Sequence, residues 1–128
     1  MRSLEELKNL PISTSQRDLS NGISLVFDLI KNNAKGSNTD YAEAFYDVIT
    51  YQSYAGAITS DEENRILNWI DETYDEVNED YIDAVSGLYC IMSSKRALKE
   101  LKNRISTTKY SWVRKYYQEA IEEFELRT

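Results

Sequence analysis

The sequence predicts an all-α protein of about six helices. Apolar residues recur at intervals of three and four along most of the chain, whereas runs that alternate between apolar and polar residues are scarce. The 128 residues include one proline and four glycines, so few positions interrupt a helix. No low-complexity tract or Pro/Ser-rich linker divides the chain, and we therefore expect a single α-helical domain over residues 1–128.

Local start and stop signals predict the first three helices. A short first helix follows Ser3 and ends at Pro11, because proline lacks the amide N–H that a helix interior requires. A second helix covers about 16–34 and stops before a polar turn. A third covers about 39–56, with its N-terminal cap at position 39 or 40.

The fourth helix has the clearest start signal. Ser60 is followed three residues later by Glu63, which is the spacing of a capping box, and two further acids lie in the first turn. Its predicted apolar stripe consists of Ile66, Leu67, Ile70, Tyr74 and Val77. We expect this helix to bury that stripe and to expose the opposite side.

Two or three further helices are predicted in the second half of the chain, depending on whether Ser93-Ser94 breaks the fifth. The fifth runs from after Asn78 to Met92, and Ser93-Ser94 separates it from the next apolar set. That set consists of Ala97, Leu98, Leu101 and Ile105. The last helix covers about 111–125 and aligns a row of Trp112, Tyr116, Ala120 and Phe124.

The composition excludes several kinds of catalytic site. The chain has no histidine and a single cysteine, so it cannot form a Ser-His-Asp triad, a Cys-His pair or a Cys/His zinc site. Neither a GxGxxG motif nor a GxxxxGK[ST] phosphate loop is present. We therefore expect a non-enzymatic protein that binds no cofactor. The alternative is an enzyme whose site uses tyrosine, lysine, arginine and carboxylates.

The single cysteine and the lack of long apolar stretches indicate a reducing compartment such as the cytoplasm. Cys90 lies in the apolar run 88–92 and is predicted to be a buried, reduced thiol. The first residues are charged and lack the apolar core of a secretory signal. No stretch reaches the roughly 20 apolar residues that a membrane span requires. A cytoplasmic protein without membrane contact is therefore predicted.

Charge is distributed unevenly along the chain, whose net charge is −7. Residues 61–83 hold ten acids and one base, whereas residues 95–115 hold eight bases and one acid. One interpretation is that the two segments attract each other across the fold. The other is that the acidic segment binds a basic protein partner. The negative balance disfavours nucleic acid, because its binding depends on neutralising phosphates.

A partner-binding surface is predicted on the acidic side of the fourth helix and the start of the fifth. The acids of the fourth helix centre opposite its apolar stripe, and Trp69 falls on the flank between them. A large aromatic beside carboxylates has the composition of a protein-binding hot spot. The predicted partner-binding residues are Trp69, Glu72, Asp75, Glu76, Glu79, Asp80 and Asp83. Alternatively, a neighbouring helix covers Trp69. A metal ladder of paired acids is disfavoured, because no second carboxylate-bearing helix is placed opposite them.

The last fifty residues carry a repeat-like pattern of apolar sets and turns. Its parts are Ala84-Val85 with Leu88, the turn Ser93-Ser94-Lys95-Arg96, Ala97-Leu98 with Leu101, and then Trp112-Val113-Arg114 with Glu119-Ala120-Ile121. The pattern resembles HEAT-type helical repeats, which implies stacked antiparallel helical hairpins. The turn lacks the Asp-Pro often found in that family, and the first half of the chain has no comparable match. An irregular helical bundle is the alternative.

These observations favour a binding protein over an enzyme. The leading hypothesis is a small cytoplasmic protein that neutralises a basic partner, most concretely an immunity protein for a bacterial toxin. The second is a HEAT-like scaffold or adaptor, whose groove is lined by the second helix of each pair.

Overall fold

The computed structural model describes residues 16–32, 36–51, 58–92 and 94–127, which form six α-helices and no strand. The helices are α1 (Gln16–Lys31), α2 (Asn38–Tyr51), α3 (Ser60–Thr73), α4 (Glu79–Met92), α5 (Lys95–Thr107) and α6 (Ser111–Arg127). The predicted all-α class is confirmed. The short helix predicted before Pro11 lies outside the described residues.

The capping box of α3 begins one residue earlier than predicted. The Thr59 hydroxyl accepts a hydrogen bond from the Glu62 amide at 3.1 Å, and the Thr59 amide donates to a Glu62 carboxylate oxygen at 2.9 Å. The predicted pair, Ser60 and Glu63, has the same spacing. The sequence holds two overlapping copies of the motif, and spacing alone cannot choose between them.

The start of α2 is shifted in the same direction. Its cap is formed by Ser37, whose hydroxyl accepts from the Asp40 amide at 3.2 Å, while the Ser37 amide donates to Asp40 Oδ2 at 2.9 Å. The prediction of a cap at Thr39 or Asp40 is therefore wrong. Asp40, at the third position of the helix, takes the place of the glutamate that is usual in a capping box.

The C-terminus of α3 comes one turn earlier than its apolar stripe suggested. Tyr74 leaves helical geometry, with φ −54° and ψ 122°, and Val77 is 70% exposed in the following loop. Val77 therefore does not belong to the buried stripe. At the far side of the loop, Asn78 Oδ1 accepts from the Tyr81 amide at 3.1 Å and caps α4. This exit allows Tyr74 to pack against α4 and α6.

Helix α4 lies at the centre of the fold. It packs most extensively against α2 and α6 and also contacts α5, while α1 packs on α2 and α5 packs on α6. Most of its residues are buried, including Cys90, whose predicted burial is confirmed. Only a narrow stripe of α4, which begins with its first acids, faces solvent.

Side-chain contacts connect α3 to α1 and α5 to α3. The Arg65 guanidinium of α3 lies 4.1 Å from the ring centroid of Phe27 in α1, and Arg104 of α5 pairs with Asp71 of α3 at 2.6 Å. Contacts therefore link α1, α3 and α5 in one row and α2, α4 and α6 in another. Stacked helical hairpins produce contacts of this kind. Membership of the HEAT type stays a prediction.

Candidate protein-binding surface

Trp69 lies in the core rather than on the surface. Its side chain is 5% exposed, and its ring centroid is 5.4 Å from that of Phe45 in α2. The indole Nε1 is buried without a hydrogen-bond partner among the described residues. The alternative, in which a neighbouring helix covers Trp69, is therefore confirmed, because α2 covers the flank of α3, and Trp69 is not an exposed anchor.

The other residues of the predicted surface lie on three consecutive elements: the end of α3, the following loop and the first turns of α4. Those that are exposed are Glu72, Asp75, Glu79, Asp80 and Asp83. Glu76 is half-buried and accepts a hydrogen bond from the Tyr74 hydroxyl at 3.4 Å. Their role in binding a partner stays a prediction.

Part of the acidic segment is engaged by the basic segment. Arg104 Nη2 lies 2.6 Å from Asp71 Oδ1, and the guanidinium carbon lies 3.7 Å from the ring centroid of Tyr74. Arg96 donates to the side-chain carbonyls of Asn64 and Asn68, in the latter case at 3.0 Å. Attraction between the two segments is thus present where α5 crosses α3. It neutralises Asp71 and leaves the acids of α4 unpaired with α5.

The acids of α4 instead face those of α6. A cavity of about 310 Å³ between the two helices is lined by Glu79, Trp112, Lys115, Tyr116 and Glu119. A second cavity of about 180 Å³ is lined by Asp83, Ser86, Gly87, Cys90, Tyr116, Glu119, Ala120 and Glu123. The two cavities share the lining residues Tyr116 and Glu119 and are therefore adjacent. We call the surface formed by all residues that line either cavity the acidic groove.

Tyr116 reports the electrostatic character of the acidic groove. Its hydroxyl donates to Glu79 Oε1 at 2.9 Å. This hydrogen bond is the main cause of the raised pKa of Tyr116, followed by burial, and the charges of Glu79, Asp83 and Glu119 raise it further. A phenol that is harder to ionise beside several carboxylates indicates a negative local potential.

Aromatic side chains lie at one end of the acidic groove. The Trp112 ring centroid is 6.1 Å from that of Tyr110 and 6.3 Å from that of Tyr116, the latter in an edge-to-face arrangement. Trp112 and Tyr116 are half-buried, and Tyr110 is 38% exposed. Trp112 therefore lies beside carboxylates on this surface, whereas the sequence pattern placed the aromatic anchor at Trp69.

Sequence reasoning missed the contribution of α6 to this surface. The sequence pattern places Trp112 and Tyr116 in an apolar row and includes Glu119 only as part of the repeat-like pattern, with no predicted role in binding. Four-residue spacing places side chains on one side of a helix, but it does not reveal which side a distant helix covers. The available signal was the group of acids at 119–123 next to that row.

A second cluster of tyrosines lies in the core behind the acidic groove. The hydroxyls of Tyr74 and Tyr117 are 2.7 Å apart, and the Tyr81 hydroxyl lies 3.2 Å from Thr73 Oγ1. Burial raises the pKa values of Tyr81, Tyr89 and Tyr117, so these phenols stay protonated at neutral pH. The cluster connects α3, α4 and α6, with Arg104 of α5 stacked against it.

Comparison with protein-family models, curated proteins and solved structures gives no match to this chain. In the described part of the chain, Cys, Asp and Glu side chains form no group of three or more that could hold a metal ion. Among the described helices, none combines the length and apolar composition that a transmembrane span needs.

Proposed function

We propose that this protein binds a basic protein partner through the acidic groove and neutralises it, most concretely as an immunity protein for a bacterial toxin. The observation that carries the proposal is the meeting of half-buried Trp112 and Tyr116 with carboxylates from two helices. Aromatic area supplies affinity in protein interfaces, and complementary charge supplies steering and register.

The acidic groove suits this role better than the outer side of α3. Asp71 of α3 is already paired with Arg104, and Trp69 is buried. Within the described residues, Glu79 and Glu119 form no ion pair, and the half-buried rings beside them can still lose solvent contact. An interface on α4 and α6 therefore has both charge and aromatic area to contribute.

The toxin interpretation follows from the chemistry of the partner. A nuclease that acts on phosphates carries a basic cleft, and an acidic helical surface can occlude it. Electrostatic steering can raise association rates by about ten- to a thousandfold at low salt. Such speed suits a protein that must capture a toxin before it acts.

The function is tested by affinity capture from the native host at low and high salt, followed by calorimetry with the purified partner. We expect one basic protein that binds stoichiometrically, is weakened by salt and loses its own activity when bound. Capture of neutral proteins only, or binding that salt does not change, would contradict neutralisation.

A scaffold or adaptor is the second candidate, and one observation favours it. The acidic groove lies between α4 and α6, which are the second helices of the consecutive pairs α3–α4 and α5–α6. Helical-repeat proteins hold peptides and subunits on surfaces of this kind. A scaffold interaction predicts little dependence on salt, which the same capture experiment measures.

A further inference from the structure

The fold already contains one arginine held by an aromatic ring and a carboxylate. The guanidinium of Arg104 lies 3.7 Å from the Tyr74 ring centroid, and its Nη2 lies 2.6 Å from Asp71 Oδ1. The planar guanidinium can stack on a ring while its edge donates to oxygen, whereas a lysine ammonium is a compact, strongly hydrated charge.

The acidic groove presents the same two kinds of group at its aromatic end. Trp112 and Tyr116 supply rings, and Glu79 and Glu119 supply carboxylates. Among the described residues, no arginine lies over either ring. Tryptophan is the most favourable ring for such stacking.

We propose that the acidic groove receives an arginine side chain of the basic partner, stacked on Trp112 and paired with Glu79 and Glu119. This inference rests on the proposed function, because it names the partner chemistry at the same surface. The hydrogen bond from the Tyr116 hydroxyl holds the Glu79 carboxylate at the edge of the cavity. Tyr116 is thus a positioning residue.

Lys115 provides a second test of the proposal, because it lines the same cavity. Its ammonium reduces the negative potential that an incoming arginine meets. Lys115→Met keeps an unbranched apolar stem and removes the charge, so we expect it to strengthen binding of a guanidinium about twofold or more.

The test uses the two tryptophans of the chain as reporters. Trp112 lines the cavity and Trp69 lies in the core, so the two indole N–H signals of an NMR spectrum separate binding from a global change. The probes are N-acetylarginine amide, its lysine counterpart and its neutral citrulline counterpart, titrated at constant ionic strength. We expect the arginine probe to shift the Trp112 signal and leave Trp69 unchanged.

Two double variants with equal changes in net charge provide the comparison. Glu79→Gln/Glu119→Gln should weaken binding of the arginine probe about tenfold. Asp28→Asn/Glu43→Gln changes exposed acids outside the two cavities and should leave it within about twofold. Equal loss in both variants, equal shifts from the arginine and lysine probes, or an unmoved Trp112 signal would overturn the proposal.

Failure of this inference is distinguishable from failure of the proposed function. If a captured basic partner binds the Glu79→Gln/Glu119→Gln variant as tightly as the wild type, the arginine site is wrong and neutralisation stands. If the arginine probe binds at Trp112 but no basic partner is captured, the site stands and neutralisation is wrong.

Discussion

Tyr116 and Tyr117 are neighbours in α6, yet they lie in two different regions. Tyr117 is fully buried, and its hydroxyl meets that of Tyr74 at 2.7 Å. Tyr116 is half-buried beside the acidic groove, and its hydroxyl meets Glu79 at 2.9 Å. Both have raised pKa values, Tyr117 mainly because of burial and Tyr116 mainly because of the hydrogen bond to Glu79.

The contrast separates groups that stabilise the fold from groups that remain available to a partner. In the core, phenols and Arg104 meet one another, and their polar atoms are largely used within the protein. In the acidic groove, Glu79 of α4 and Glu119 of α6 are exposed and form no ion pair among the described residues. Substitutions in the first region should reduce stability, and those in the second should reduce binding.

The largest expected effect comes from truncating each tyrosine in turn. Tyr117→Ala removes a fully buried ring and should lower the free energy of unfolding by about 3 to 5 kcal/mol. Tyr116→Ala should have a clearly smaller effect, because its ring retains contact with solvent. Urea denaturation of both variants measures the difference. Equal losses would break the division between core and groove.

Gly22 in the core and Gly87 in the acidic groove allow the packing of the two regions to be compared. A Cβ on Gly22 would lie 2.7 Å from Val48 Cγ1, so Gly22→Ala should cost about 1 to 3 kcal/mol through overpacking between α1 and α2. At Gly87 in the acidic groove, the nearest atom would be Tyr46 Cε2 at 3.5 Å, an ordinary contact. Gly87→Ala should therefore be neutral or stabilise the helix by up to about 1 kcal/mol.

Thermal denaturation of the two glycine variants against the wild type tests this pair. A destabilised Gly87→Ala would show that the acidic groove is as tightly packed as the core. An unaffected Gly22→Ala would show that α1 and α2 can separate without cost.

Alkaline pH should lower the free energy of unfolding through the ionisation of Tyr117. Burial raises the pKa of Tyr117 above the ordinary value of about 10 for a tyrosine. Above pH 10 the unfolded chain therefore releases a proton that the folded chain retains, and the free energy of unfolding falls as pH rises. This contribution to stability is fully present below pH 10. Tyr117→Phe should flatten the decline, measured by urea denaturation between pH 9 and 11.

The pKa of Tyr116 should instead depend on the carboxylate of Glu79, which accepts its hydrogen bond. Glu79→Gln removes the charge that accepts its hydrogen bond, so the pKa of Tyr116 should move back toward its ordinary value. Titration of the Tyr116 ring signals by NMR measures this shift. An unchanged pKa would mean that Glu79 does not set the local potential of the acidic groove.

Much of the fold could be predicted from the sequence because helices leave local signals. Six of the predicted helices are present, and the start of α4 after Asn78 and the break before Lys95 were placed correctly. The errors are local ambiguities. Thr59 and Ser60 offer equivalent caps, and the spacing of Val77 fitted a stripe that the chain leaves at Tyr74.

The candidate site was harder to predict because it depends on which helices pack together. An angular plot of one helix placed Trp69 on a flank, but it could not include the cover supplied by Phe45. Likewise, Glu79 and Glu119 are forty positions apart, and they line one cavity only because α4 packs against α6. Charge counts along the chain found the first acid and missed the second.

The most direct test of the central claim is the affinity of the captured partner for three proteins: the wild type, Glu79→Gln/Glu119→Gln and Asp28→Asn/Glu43→Gln. The two variants have the same net charge, so they separate the acidic groove from general attraction. We expect the first variant to lose about tenfold or more in affinity and the second to stay near the wild type. The claim is contradicted if the second variant loses as much as the first, or if neither variant loses affinity.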